Sequence, residues 1–269
     1  IVLHFSWPQA ELAAALSHHW PGSGVEIHAE LDSTNSELMR RVREGQTAPT
    51  LLVAEAQTAG RGRLGREWQG RPSGQGAANG SLSFSLGVPL AVADWSGLSL
   101  AVGLAVAEAL HPAIELKWPN DVWWQGRKLA GILIETASIG GAASHGRYAV
   151  VGVGMNLAPL TGEGFSTPPA WLQELLPDID APGALARVVG PLAQALRQFE
   201  REGFAPLAAR FNARDALAGR AVRLSDGLAG VARGVGADGA LQLHTADGVR
   251  AITSAEVSVR PAPAMGASA

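Results

Sequence analysis

Residues 54–68 read AEAQTAGRGRLGREW, so that Arg61, Arg63 and Arg66 alternate with Gly60, Gly62 and Gly65 directly after a short apolar run. Glycine lets a backbone approach a ligand closely and take positive φ. Arginine presents a planar, permanently charged fork that matches phosphate and carboxylate. A loop of this composition suits closure over an anionic small molecule, and Trp68 at its end is able to stack on a base. The competing readings are a solvated basic turn or an RGG-like nucleic-acid segment. Residues 60–65 also match G-x-G-x-x-G, but a dinucleotide fold needs a following helix and an acidic residue about 20 positions on. Arginines follow instead of an apolar helix, so that reading is set aside.

A second cluster, Lys117-Trp118-Pro119-Asn120-Asp121, sets a cation, an aromatic, a turn residue, an amide and a carboxylate in succession. Asn-Asp after proline is also ordinary turn chemistry. Lys128 opens an apolar strand, either as an edge solubiliser or as a cation aimed into a cleft. In Gly152-Val153-Gly154-Met155-Asn156, glycine within a strand marks tight packing or the approach of a ligand. The Asn156 amide is suited to reading the edge of a base. Ser33-Thr34-Asn35 reads as a helix cap, and helix N-termini also receive anions or carbonyls. The chain has no cysteine, which excludes disulfides, thiolate zinc sites and thioester intermediates, and its seven histidines show no metal-ligand spacing.

These residues need elements to position them. Residues 9–20 read as a short amphipathic helix and 25–31 as a half-buried strand. A helix is expected over 36–44, with Thr34 and Glu37 at capping-box spacing and Gly45 as its stop. Strands follow at 51–56, 82–86, 114–118, 122–124, 128–136 and 148–157, the middle pair as a hairpin around 125–127. Helices are expected at 94–110, 169–176, 184–201 and 204–212. After Gly219 short strands with Gly/Asp turns run to Val259, the pattern of a small all-β module. Residues 70–80, rich in Gly, Ala and Ser, read as a mobile insertion, and 261–269 as a disordered tail. The order predicts an α+β fold: a mixed, largely antiparallel sheet flanked by helices, over residues 1–216, with the β module at 217–262 and the tail at 263–269.

The 269 residues are 47% hydrophobic and 17% charged, with a net charge of −3, which supports a sizeable core and argues against wholesale nucleic-acid wrapping. No apolar run reaches the roughly 18–20 residues of a membrane helix. The first eight residues lack a basic n-region, so a soluble cytoplasmic protein is expected.

The order STN, AEAQTAGRGRLGREW, KWPNDVWWQGRKLAGILIE, GVGMN and then an all-β module resembles the bacterial biotin protein ligases, biotin–[acetyl-CoA carboxylase] ligases, over residues 25–260. The resemblance implies a class II synthetase-like biotin/lipoate ligase catalytic domain followed by an SH3-like barrel. It implies that ATP and biotin are substrates, joined with Mg2+ present as biotinyl-5′-AMP, and that biotin then passes to one lysine of the biotin carboxyl carrier protein of acetyl-CoA carboxylase.

By motif match, Ser33, Thr34 and Asn35 line the ureido end of the biotin pocket, and Gln57, Gly60, Arg61 and Gly62 hold biotin. Arg63 and Lys128 contact its carboxylate and the α-phosphate as the catalytic pair. Arg66, Trp68, Lys117, Asn120, Asp121 and Asn156 serve the nucleotide, with Asp121 also a Mg2+ ligand. Gly131, Leu133 and Gly152 shape the biotin tail channel. About 24 residues precede the first core strand, too few for the winged helix-turn-helix of some family members, so no operator binding is expected. The 70–80 insertion and Ala255, where the family often has glycine, depart from the pattern. Family members can dimerise through the catalytic sheet, which leaves a homodimer open. A lipoate or octanoate ligase is the nearest alternative and a nucleic-acid-binding protein the more distant one. Octanoyltransferases with a catalytic cysteine are excluded.

Overall fold

The computed structural model describes residues 5–68, 80–139, 146–159, 169–253 and 259–261. All of the expected insertion at 70–80 except Gly80, together with Ala255 and the tail at 263–269, lies outside them. Alternating sequence builds the main sheet from β1 (Gly24–Leu31), β2 (Thr50–Gln57), β3 (Ser81–Leu90), β4 (Glu115–Lys117), β5 (Asp121–Trp124), β6 (Arg127–Ser138) and β7 (Arg147–Asn156). Their order is β1-β2-β3-β7-β6-β5-β4, parallel between β1 and β2 and antiparallel elsewhere.

The two sides of this sheet differ in side-chain size. On one side Leu82, Phe84 and Leu86 of β3 and Val151, Val153 and Met155 of β7 join the principal core. That core is completed by α1 (Gln9–Ser17), α3 (Leu98–Leu110) and α4 (Ala181–Glu202), with α3 and α1 packed on α4. The alternate positions on the other side are Ser83, Ser85 and Gly87 of β3, Gly131, Leu133 and Glu135 of β6, and Gly152, Gly154 and Asn156 of β7. Among the described residues the helix that covers that side is the ten-residue α2 (Thr34–Arg43), through Leu38, Met39 and Val42 against Leu52, Tyr148 and Val150. Small residues beyond the reach of a short helix leave room for a cavity.

Several expected boundaries shift for local reasons. Ser33, not Thr34, is the N-cap of α2, its hydroxyl accepting from Ser36 N. Glu37 pairs with Arg40 and Arg41, so the capping box expected between Thr34 and Glu37 is absent. Asp94 accepts from Ser96 N in a local turn, and Gly97 at φ 81° starts α3 four residues later than expected. The helix expected at 169–176 is a single 3-10 turn, Leu172–Glu174. Tertiary bonds hold that turn: Gln173 N donates to Leu157 O, and the Glu174 carboxylate pairs with Arg127 at 2.6 Å. The helix expected at 204–212 is a 3-10 turn, Ala205–Leu207, continuing into α5 (Ala208–Asn212).

The second sheet comprises β8 (Ala221–Leu224), β9 (Ala229–Val235), β10 (Leu241–Thr245), β11 (Gly248–Ile252) and β12 (Val259–Pro261), antiparallel in the order β11-β10-β9-β8-β12. The segment leading into it is tied to the first sheet by backbone bonds of Leu116 with Arg214 and Ala216, and the β9–β10 turn by Trp118 Nε1, which donates to Gly239 O at 3.0 Å.

Asp215 lies at this junction. Burial pushes its carboxyl up to about 6, Leu217 N–H pulls it down, and Glu115 adds to the rise. Its Oδ2 is buried without a hydrogen-bond partner among the described residues. A raised folded-state pKa contributes stability at pH values below the ordinary carboxylate value near 4, and that contribution is lost as pH rises through about 6. Asp215→Asn keeps an acceptor for Leu217 N and is expected to match the parent chain at about pH 4 but to be more stable by about 3 kcal/mol at neutral pH. Thermal melts across that range check this, and parallel pH profiles would contradict it.

Candidate functional site

The Gly/Arg loop leaves the end of β2 as a closed structure. Thr58 N and Ala59 N donate to Leu31 O and Asp32 O, and Trp68 N donates back to Gly60 O at 2.9 Å. Gly62 N donates to Arg66 O at 2.7 Å, and Leu64 (φ 57°) and Gly65 (φ 70°) turn the tip. Contacts of Trp68, Arg63 and Arg61 hold the loop against the sheet. The Trp68 indole lies over Gly131 and Gly154, where a Cβ at Gly154 would stand 2.3 Å from Trp68 Cε2. Arg63 Nη1 donates to Asn120 Oδ1 at 3.2 Å. Arg61 Nη1 meets the Glu135 carboxylate at 3.1 and 3.2 Å.

Strand register assembles the charged wall. Lys117 pairs with Asp121, Asp121 with Gly131, Gly131 with Gly154 and Gly154 with Ser83, forming one row across five strands. A bulge between Val122 and Trp123 re-aims the β5–β6 hairpin. Lys128 Nζ then sits 2.7 Å from Asp121 Oδ1, while Lys117 Nζ is 3.5 Å from Oδ2. Burial pushes the Lys117 ammonium below its usual range, Asp121 opposes this, and Lys128 reinforces it. Burial likewise lowers the Arg63 guanidinium, with Asp121 opposing and Arg66 reinforcing. Like charges held this close, with part of their hydration removed, favour any anion that enters.

The opposite end is neutral and polar. Thr34 N donates to Gln57 Oε1 at 2.8 Å. The Ser85 hydroxyl lies 2.6 Å from Asn35 Oδ1 and 2.7 Å from Thr34 Oγ1. The amide oxygen only accepts, so the Ser85 proton goes to it and the Thr34 hydroxyl donates to Ser85. Asn35 Nδ2 donates to Leu133 O and to Glu135 Oε2. Gly152 permits this arrangement, since a Cβ there would stand 2.1 Å from Asn35 Oδ1. Between the neutral floor and the cationic wall lies a cavity of about 490 Å³.

A model of the biotin/lipoate A/B protein ligase family matches residues 29–156, and one of the biotin protein ligase C-terminal domain matches 218–260. The bifunctional ligase/repressor BirA of Escherichia coli is 36% identical over 251 residues, covering 90% of this chain and 75% of that protein. The biotin–[acetyl-CoA-carboxylase] ligase of Paracoccus denitrificans is 34% identical, covering 85% of this chain and 98% of its own. The chain belongs to the biotin protein ligase family. The structure of the biotin protein ligase of Aquifex aeolicus in complex with biotin and ATP superposes with a TM-score of 0.74 at 29% identity, covering 89% of this chain and 99% of that one.

The cavity brings together Ser33, Thr34, Asn35, Gln57, Arg61, Gly62, Arg63, Arg66, Trp68, Lys117, Asn120, Asp121, Lys128, Gly131, Leu133, Gly152 and Asn156. Gly60, expected there from the family motif, sits directly beside the lining residues Arg61 and Gly62. It forms the neck of the loop, where a Cβ would stand 2.6 Å from Trp68 O. Asn156 uses its amide N–H groups on Lys128 O and Ala170 O, which leaves Oδ1 as its available ligand group. Ser83 and Val259 on the wall, and Ser85 and Glu135 behind it, were not singled out from sequence. Serine at alternate positions of an otherwise apolar strand was the available signal for Ser83 and Ser85. Gly154→Ala is expected to lift the Trp68 indole from the sheet. The indole N–H resonance lost in Trp68→Phe should shift in Gly154→Ala, and an unmoved resonance would contradict the packing.

Proposed function

We propose that this chain joins biotin to ATP as biotinyl-5′-AMP in the cavity and transfers biotin to a lysine of a biotin carboxyl carrier protein. The observation that carries this reading is the pairing of a neutral hydrogen-bonding floor with a cationic wall in one cavity. The floor groups Ser33, Thr34, Asn35 and Gln57 suit the neutral N–H and C=O groups of a ureido ring. Gly131, Leu133 and Gly152 leave a narrow channel for an apolar tail. Arg63 and Lys128 receive its carboxylate.

In the first step a carboxylate oxygen attacks the α-phosphorus of ATP, the α–β bridging bond breaks, and pyrophosphate leaves. Arg63, Lys128 and Lys117 offset the charge that develops on the phosphoryl oxygens, and the remaining requirement is alignment of the reactants. In the second step the carrier lysine amine attacks the acyl carbon, its proton is released, and AMP departs. No protein nucleophile takes part, in keeping with a chain without cysteine.

Mg2+ would be held by the triphosphate, where it would supply further neutralisation of the phosphate charge. Among the described residues no three His, Cys, Asp or Glu side chains gather to hold a metal. Asp121 is the carboxylate beside the cations, and its contacts with Lys117 and Lys128 fit it to positioning those lysines as well as to meeting the ion.

Pyrophosphate exchange into ATP, measured with biotin, lipoate and octanoate in turn, tests this. Biotin alone should support exchange, and Lys128→Ala and Arg63→Ala should each lower it by about 10²- to 10³-fold. Exchange with lipoate or octanoate only would transfer the assignment to those ligases, and no exchange would remove the activity.

A further inference from the structure

Glu135 lies behind the cavity wall, outside the residues that line it. Its position on β6 puts its carboxylate between two parts of the site, the floor and the Gly/Arg loop. Oε2 accepts from Asn35 Nδ2 at 3.0 Å, and both oxygens meet Arg61 Nη1 at 3.1 and 3.2 Å. Asn35 belongs to the floor, where its amide oxygen is held by Ser85. Arg61 belongs to the Gly/Arg loop, and its Nη1 also reaches Ser36 Oγ on α2 at 3.5 Å.

The amide orientation of Asn35 is dictated by its neighbours. A carboxylate and the Leu133 carbonyl on one side require the N–H₂ group, and a hydroxyl donor on the other requires the oxygen. Glu135 therefore fixes which hydrogen-bonding face Asn35 turns to the cavity, and the same carboxylate tethers the loop. Arg61 is 48% exposed and Glu135 23% exposed, so the outer half of the link opens readily while the inner half stays in place.

We propose that Glu135 is a positioning residue that couples occupancy of the floor to closure of the Gly/Arg loop. A ligand that orders Asn35 stops the Glu135 carboxylate from swinging, which pre-forms the acceptor for Arg61. Closing the loop in turn holds Asn35 in its binding orientation, because the coupling is reciprocal. The coupling half of this proposal rests on the ligase reading; the latch half does not.

The test uses the full chain as wild type, Glu135→Gln, Arg61→Gln and the double variant. Trypsin cleavage after Arg66 is followed without ligand and with biotin and ATP. Without ligand, Glu135→Gln and Arg61→Gln should each be cut about three- to fivefold faster than wild type, and the double variant no faster than either. With ligand, the protection seen in wild type should shrink by a similar factor in Glu135→Gln, and biotinyl-adenylate should leave that variant faster, at an unchanged melting temperature. Arg61→Gln breaks the same pair from its exposed side, so it reads the latch even where Glu135→Gln folds poorly. Wild-type cleavage of both single variants, or additive effects in the double, would overturn the latch. Full protection of Glu135→Gln by ligand would overturn the coupling. The ligand-free arm needs no substrate, so a failed latch is distinguishable from a failed ligase reading, which wild-type pyrophosphate exchange decides.

Discussion

Holding Arg63, Lys117 and Lys128 around a single carboxylate, Asp121, is the constraint on which the site depends. Burial, reinforced by Lys128 at Lys117 and by Arg66 at Arg63, disfavours the charged forms of these two groups, and Asp121 is the group that opposes this at both. The arrangement needs rigid support, because flexible side chains would swing apart into water. Support comes from the single strand row running from Lys117 through Asp121 to Gly131, and from aromatic faces. Lys117 lies 5.0 Å from the Trp123 ring and Lys128 5.7 Å from that of Trp68. The surplus positive charge makes the cavity receptive to a carboxylate and phosphates, and the same surplus supplies the stabilisation that acyl-adenylate formation requires.

The cavity itself follows from a second constraint, the division of the sheet into a bulky side and a small one. Bulky residues on β3 and β7 build the main core with α1, α3 and α4, which leaves the opposite side only the smaller apolar cluster under α2 to complete. There, glycine and serine at alternate positions bring the backbone itself to the ligand space. Trp68 then closes over Gly131 and Gly154, so the loop that carries the arginines is seated by the absence of two side chains.

Much of this was legible in the sequence. The strands, the mixed character of the sheet and the hairpin at 125–127 followed from periodicity and turn residues, and nearly every residue of the family motifs reaches one cavity. Distance between strands was less legible. Nothing in the order Lys117, Asp121, Gly131, Gly154 announces that the four share a row, since register is set by pairing and by the bulge at Val122/Trp123. Ser85 and Glu135 were missed because serine and glutamate in strands are ordinary on a solvated face, and only the third dimension shows α2 and the loop lying over them. Gly60 carries a further role that its motif position did not announce: its packing against the Trp68 backbone makes it the neck of the loop. The turn at 172–174 escaped because the bonds that hold it come from Arg127 and Leu157, remote in sequence.

The most direct measurement of the central claim is mass spectrometry of the small molecules that remain bound after the protein is incubated with biotin and MgATP and passed rapidly through a desalting column. The account predicts a stoichiometric species with the mass of biotinyl-5′-AMP, present only when both substrates are supplied and lost when Lys128 is replaced by alanine. Protein that retains biotin and ATP as separate molecules, with no mixed anhydride, would contradict it.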